Sequence, residues 1–147
     1  MYAAKNVGSG LDTEGQEFLG LVDQKYHTAP GGVIDTTQAW FDTQKEVTLL
    51  PPLPGTYPQA SFGHLMGGYQ AGYYGYLWSK VYASDMFSRF QQYGLLNPEA
   101  GQYYRSHILA KGGSEDAMDM VRDYLGREPN LDAFLRDLGL STATQRP

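Results

Sequence analysis

YQAGYYGYLWSKVYASDMFSRFQQYG, residues 69–94, runs from Tyr69 to Tyr93 without a proline and stops at Gly94. A glycine there can close a helix in the left-handed region, so the spacing predicts one long helix over this stretch. On such a helix Tyr69, Tyr73 and Tyr76 fall within about 60° of one another and form one phenol-bearing face. Leu77 and Val81 lie roughly 80° to 120° round the wheel, with Trp78 beyond, so on this reading packing does not require the three phenols.

The neighbouring segments are helical as well. Towards the N-terminus, Phe18, Val22 and Tyr26 recur every fourth residue within a helix expected from about Thr13 to His27, which stops before Pro30-Gly31-Gly32. Asp35 or Thr36 can cap a second helix to about Leu49, carrying Trp40, Phe41 and Val47. The prolines at 51, 52, 54 and 58 then exclude helix and make a stiff loop. Towards the C-terminus, Asn97-Pro98 opens a helix to about Ala110, closed by Gly112-Gly113. Ser114 is the expected cap of the next helix, which ends at Gly126, and Asn130 starts a short last helix ending at Gly139. Residues 141–147 are expected to fray. The fold class is all-α.

Composition narrows the function. The 147 residues fit one compact domain, and sixteen acidic against eleven basic residues, a net charge of −5, leave no basic stripe for nucleic acid. Zero cysteines exclude a disulfide framework, a thiolate zinc site and a cysteine nucleophile. No apolar run is long enough for a signal peptide or a membrane span, so no membrane partner and a cytoplasmic location are expected. His27, His64 and His107 are scattered, none lies in an H-E-x-x-H helix, and none is read as pairing with a carboxylate one helical turn away, so no metal ligand is assigned. Glu115, Asp116 and Asp119 are read as complementing a helix dipole. The paired glycines lack the flanking pattern of a phosphate loop.

Twelve tyrosines, concentrated between Tyr69 and Tyr104, are the anomaly. A phenol-bearing face suits a core or a subunit interface as well as a ligand cleft. Gly63, Gly67 and Gly68, however, give the backbone before this face the freedom to form a flap, and His64 lies within it. A histidine and phenols directed at one spot are neutral donors of the kind that stabilise an oxyanion.

The run FGHLMGGYQAGYYGYLWS, residues 62–79, resembles the family M3 zinc oligopeptidases, in particular the thimet oligopeptidase, neurolysin and saccharolysin branch. The likeness extends through Val22-Asp23-Gln24, His27-Thr28, Asp85-Met86-Phe87, Asn97-Pro98, Tyr104-Arg105, Gly112-Gly113-Ser114 and Leu125-Gly126-Arg127, covering nearly the whole chain as the C-terminal part of the catalytic domain. The resemblance implies a mostly helical metalloendopeptidase of short peptides. It implies catalytic roles for His64 and Tyr76 on the scissile carbonyl and its oxyanion, a substrate-covering loop at Gly63, Gly67 and Gly68, and substrate contacts at Tyr69 and Tyr73. It also implies zinc as the cofactor of the complete enzyme, held by an H-E-x-x-H helix and a downstream glutamate that do not occur in these residues. The expected partners are therefore short peptides and the zinc-bearing segment or a partner chain that carries it. Apolar surface left uncovered makes self-association possible, and the alternative function is an inactive peptide-binding or interaction module.

Overall fold

The computed structural model describes residues 6–140 and contains helices and turns, with no strand among the described residues. The helices are α1 (Ser9–His27), α2 (Thr36–Val47), α3 (Gly75–Tyr93), α4 (Pro98–Tyr104), α5 (Ala117–Leu125) and α6 (Asp132–Asp137). The all-α expectation holds. The chain divides into two compact units, the first reaching Leu77 and the second starting at Trp78. No helix among the described residues is long and apolar enough to cross a membrane. The expected frayed tail, 141–147, lies outside the described residues.

In the first unit the apolar stripe of α1 packs on α2. Phe18, Val22, Trp40, Phe62 and Tyr73 form the core, bordered by Leu19, Tyr26, Phe41, Val47 and Leu65. Phe18 meets Trp40 edge to face at 4.9 Å between ring centroids, Trp40 meets Phe62 at 6.0 Å, and Phe62 meets Tyr73 at 5.2 Å. Such pairs add roughly 0.5–1.5 kcal/mol each beyond burial. Asp35 caps α2 by accepting the Gln38 N–H at 2.9 Å, as its position predicts.

The long helix expected from Tyr69 begins instead at Gly75. Gly68 and Ala71 have positive φ, 90° and 58°, which no α-helix accommodates. The residues between are tight turns, with Gly72 N–H bonded to the Tyr69 carbonyl and Gly75 N–H to the Gly72 carbonyl. The expectation that packing dispenses with the tyrosines is also corrected, because Tyr73 is only 5% exposed and completes the core.

In the second unit Val81, Met120, Tyr124, Leu125 and Ala133 are buried. Asn97 caps α4 by accepting the N–H groups of Glu99 and Ala100. The predicted continuation to Ala110 is a π-helical segment, Arg105–Leu109, in which Ala110 N–H reaches the Arg105 carbonyl at 2.8 Å. Asp116, not Ser114, caps α5, since its carboxylate accepts from Met118 and Asp119 N–H at 2.8 and 3.2 Å. Asn130 accepts the Asp132 N–H as α6 begins.

Candidate functional site

The site lies in the first unit, in the turns between Phe62 and the first turn of α3. Phe62 is anchored in the core. From it a short 3₁₀ turn, Gly63–Met66, carries the exposed His64 outward. The His64 carbonyl accepts both the Gly67 and the Tyr69 N–H, which folds the glycine segment back and returns Tyr69 to the His64 ring. Gly68 occupies the left-handed region where a side chain would be strained, although a Cβ added there would meet nothing within 4 Å.

The rings then converge. The His64 centroid lies 5.7 Å from Tyr69, 5.0 Å from Tyr73 and 5.7 Å from Tyr76, each edge to face. Tyr69 stacks on Tyr76 at 5.2 Å, and Tyr73 is 5.0 Å from Tyr76. The sequence-predicted phenols are thus together, although only Tyr76 is helical. Gly63, Gly67 and Gly68 lie in the adjoining exposed loop.

The three phenols are not equivalent. Tyr69 and Tyr76 are 47% and 38% exposed, and their rings are stacked on one another. A hydrogen bond to the Tyr69 phenol, with lesser contributions from burial and from Tyr69 and Tyr73 as neighbouring acids, raises the Tyr76 pKa above the ordinary phenol range. Like any phenol, Tyr76 is protonated at neutral pH and can donate. The Tyr73 hydroxyl donates to Gln16 Oε1 at 3.3 Å, and its ring stands beneath His64 and Tyr76 as the last ring of the core.

What holds these turns is a group the sequence reading did not single out as functional. Asp23 on α1 is fully buried. Its Oδ1 accepts the Ala71 N–H at 2.9 Å and its Oδ2 accepts the Tyr73 N–H at 3.0 Å. Gln24 Nε2 donates to the Ala71 carbonyl at 3.0 Å, so the strained residue is held on both of its peptide groups. Left-handed geometry costs an alanine roughly 1–2 kcal/mol, which charge-assisted bonds of about 1.5–3 kcal/mol each can offset.

The sequence reading also found no carboxylate one turn from a histidine, and this is corrected. His27 Nδ1 lies 3.0 Å from Asp23 Oδ1 and 2.8 Å from the Asp23 carbonyl. Both neighbours are acceptors, so Nδ1 carries the proton. The i, i+4 spacing of Asp23 and His27 was the available signal.

Zinc needs three or more converging protein ligands. Among the described residues no group of three or more His, Asp or Glu could hold a metal ion. The Asp23 carboxylate beside His27 is already engaged by two backbone N–H groups. The described residues do not fit a zinc site by themselves.

Comparison with known proteins agrees in one direction. The profile of Peptidase family M3 matches residues 1–140. Oligopeptidase A of Salmonella typhimurium is 41% identical over 144 residues, which cover 95% of this chain and 21% of that protein. Saccharolysin of Saccharomyces cerevisiae is 41% identical over 143 residues, covering 92% of this chain and 20% of its own length. A thimet-like oligopeptidase of Dictyostelium discoideum is 38% identical over 141 residues, covering 95% and 21%. The chain spans about a fifth of the length of these curated relatives.

Proposed function

We propose, from the premise that this chain belongs to peptidase family M3, that it supplies the substrate-binding loop and the oxyanion-stabilising donors of a metallo-oligopeptidase acting on short peptides. The observation that carries this reading is the exposed, stacked Tyr69–Tyr76 ring pair beside His64, in a loop with glycines at 63, 67 and 68. When a peptide carbonyl becomes tetrahedral, charge gathers on its oxygen. A neutral donor already fixed in position stabilises that charge without reorganising at the moment of reaction.

Tyr76 and His64 act as the donors on this reading. The Tyr76 hydroxyl turns from its Tyr69 neighbour to the developing oxyanion and donates to it as a neutral phenol. Tyr69 and the Gly63, Gly67 and Gly68 loop contact the bound peptide, with Met66, 93% exposed, beside them. Tyr73, expected to touch substrate, receives a supporting role: its ring is core and its hydroxyl is bonded to Gln16. Zinc, the chemistry that activates water in the family, and the rest of the peptide cleft belong to chain outside these residues.

The test is Tyr76→Phe in a complete peptidase carrying this sequence. The ring stays and the hydroxyl goes. The expected result is a kcat lowered by roughly ten- to a thousandfold with KM nearly unchanged, the signature of a donor that acts in the transition state. His64→Ala behaves alike, whereas Tyr69→Phe acts on KM. A kinetically silent Tyr76→Phe removes the catalytic assignment.

The second reading, a peptide-binding module without chemistry, is favoured by the apolar exposure of Met66, Tyr69 and Tyr76 around His64. Calorimetric binding of short peptides to the 147-residue chain itself, abolished by Tyr69→Ala, supports it.

A further inference from the structure

We propose that Asp23, assisted by Gln24, is the positioning residue of the Tyr69–Tyr76 phenol pair, acting on the site through the Ala71 turn. This rests on the functional reading above, and it adds a residue from α1 that touches neither the phenols nor a bound peptide. Tyr69 and Tyr76 are separated by the one residue outside glycine that adopts positive φ among the described residues, Ala71 at 58°. An alanine does not hold that geometry unaided. Asp23 takes the Ala71 and Tyr73 N–H groups on separate oxygens, and Gln24 donates to the Ala71 carbonyl, fixing the turn in three places. The turn in turn fixes how far the Tyr69 hydroxyl stands from that of Tyr76. At Gly20, on the same helix, an added Cβ would lie 3.6 Å from the Tyr74 Cα, so α1 and the turn are already in backbone contact.

Purely structural support would predict loss of stability alone, whereas positioning predicts that the phenol pair separates in a chain that remains folded. The Tyr69–Tyr76 contact offers a direct readout because the Tyr69 phenol beside Tyr76 raises the Tyr76 pKa. In the 147-residue chain with isotope-labelled tyrosine, the pH titration of Tyr76 is followed by NMR, its signal identified by its loss in Tyr76→Phe. Tyr69→Phe calibrates the effect by returning the midpoint towards the ordinary value of about 10.

Asp23→Asn keeps the size of the side chain but can accept on one oxygen only, leaving an amide facing a backbone N–H. The expected result is a Tyr76 midpoint lowered in the same direction as in Tyr69→Phe, with helical circular dichroism retained. A folded Asp23→Asn chain in which Tyr76 titrates as in the native chain overturns the proposal. Should Asp23→Asn not fold, Gln24→Ala decides in its place: Gln24 is only half-buried, a smaller lowering supports the proposal, and an unmoved midpoint overturns it.

In a complete peptidase carrying the sequence, the same variant lowers kcat by roughly ten- to a hundredfold with little change in KM, as expected for misplaced donors. A shifted titration with unchanged kcat keeps the positioning role and removes the catalytic reading of Tyr76. A costly Tyr76→Phe beside an Asp23→Asn variant that leaves both titration and kcat unchanged does the reverse.

Discussion

Asp23 in the first unit and Asp85 in the second are both buried carboxylates, 0% and 1% exposed, and they are satisfied in opposite ways. Asp85 faces a full positive charge. Arg127 grips both of its oxygens, with Nη1 at 2.8 Å from Oδ2 and Nη2 on Oδ1, and Asn130 N–H adds a bond at 2.9 Å. Asp23 faces two neutral backbone N–H groups and one imidazole. A guanidinium clamp ties α3 to the loop before α6 and can tolerate small shifts of either. Backbone bonds instead specify the path of the chain residue by residue. The second unit uses a buried carboxylate as a staple, and the first uses one to shape a turn that holds phenols.

The largest effect that tests this contrast is Arg127→Ala. It leaves the Asp85 charge buried with a single N–H, and removing one partner of such a pair costs roughly 3–5 kcal/mol. Asp85→Ala should cost less, because the Arg127 side chain is 43% exposed and can turn to water. Chemical denaturation of both variants checks the inequality. Equal losses would mean that the pair acts through geometry common to both partners and not through the uncompensated charge.

Asp23→Asn is expected to cost about 1–3 kcal/mol, the penalty for leaving one buried N–H without an acceptor. The packing of α1 on α2 should otherwise persist, since Phe18, Val22 and Trp40 lie outside the turn, whereas Tyr73, which packs on Phe62, is part of it.

Each unit also holds a group that ties its stability to pH, the two with opposite sign. Burial raises the Asp85 pKa, but the bond to Arg127, the Asn130 N–H and the charges of Arg127 and Arg136 outweigh it and hold the carboxyl below its ordinary value. Its stabilisation is complete above about 3.9 and is lost as pH falls through the lower folded value. Tyr26, raised to about 12 by burial and then by the charge of Asp35, behaves conversely. Its contribution is complete below about 10 and is lost as pH rises through the folded value. Hydrogen exchange should therefore report acid weakening at the amides around Asp85 and alkaline weakening at those around Tyr26.

Much of this was legible because the signals are local. Asp35, Asn97, Gly94 and Gly126 cap or end helices through residues within a turn of themselves, and each does what its position predicts. Ser114 failed as a cap because the helix starts two residues later than expected, at Ala117, where Asp116 accepts the Met118 and Asp119 N–H groups. The start of α3 was illegible for a different reason. Periodicity carries the helix back to Tyr69, but Asp23, far off in sequence, takes the Ala71 and Tyr73 N–H groups. The tyrosine cluster was found by a wheel that does not apply to Tyr69 and Tyr73, and it survives because the tight turns leave the rings on the same side. His64 was singled out by its glycine neighbours together with the phenols that follow it. Gln16 and Gln24 carry no pattern of their own.

The smallest effect separates the turn's geometry from the carboxylate that imposes it. Ala71→Gly removes the left-handed penalty of roughly 1–2 kcal/mol but adds back unfolded-state freedom worth about 0.4–1 kcal/mol. The expected outcome is a chain as stable as the native one or up to about 1 kcal/mol more stable. The N–H and carbonyl of residue 71 remain, so Asp23 and Gln24 still bind them, and the Tyr76 midpoint should stay raised. Ala71→Val tests the other direction: a β-branched side chain is a poorer fit to positive φ, and the variant should lose stability beyond the native level. Thermal unfolding of both, beside the Tyr76 titration, gives the comparison. If Ala71→Gly lowered the Tyr76 midpoint as far as Asp23→Asn, the alanine methyl and not the carboxylate would be what fixes the turn.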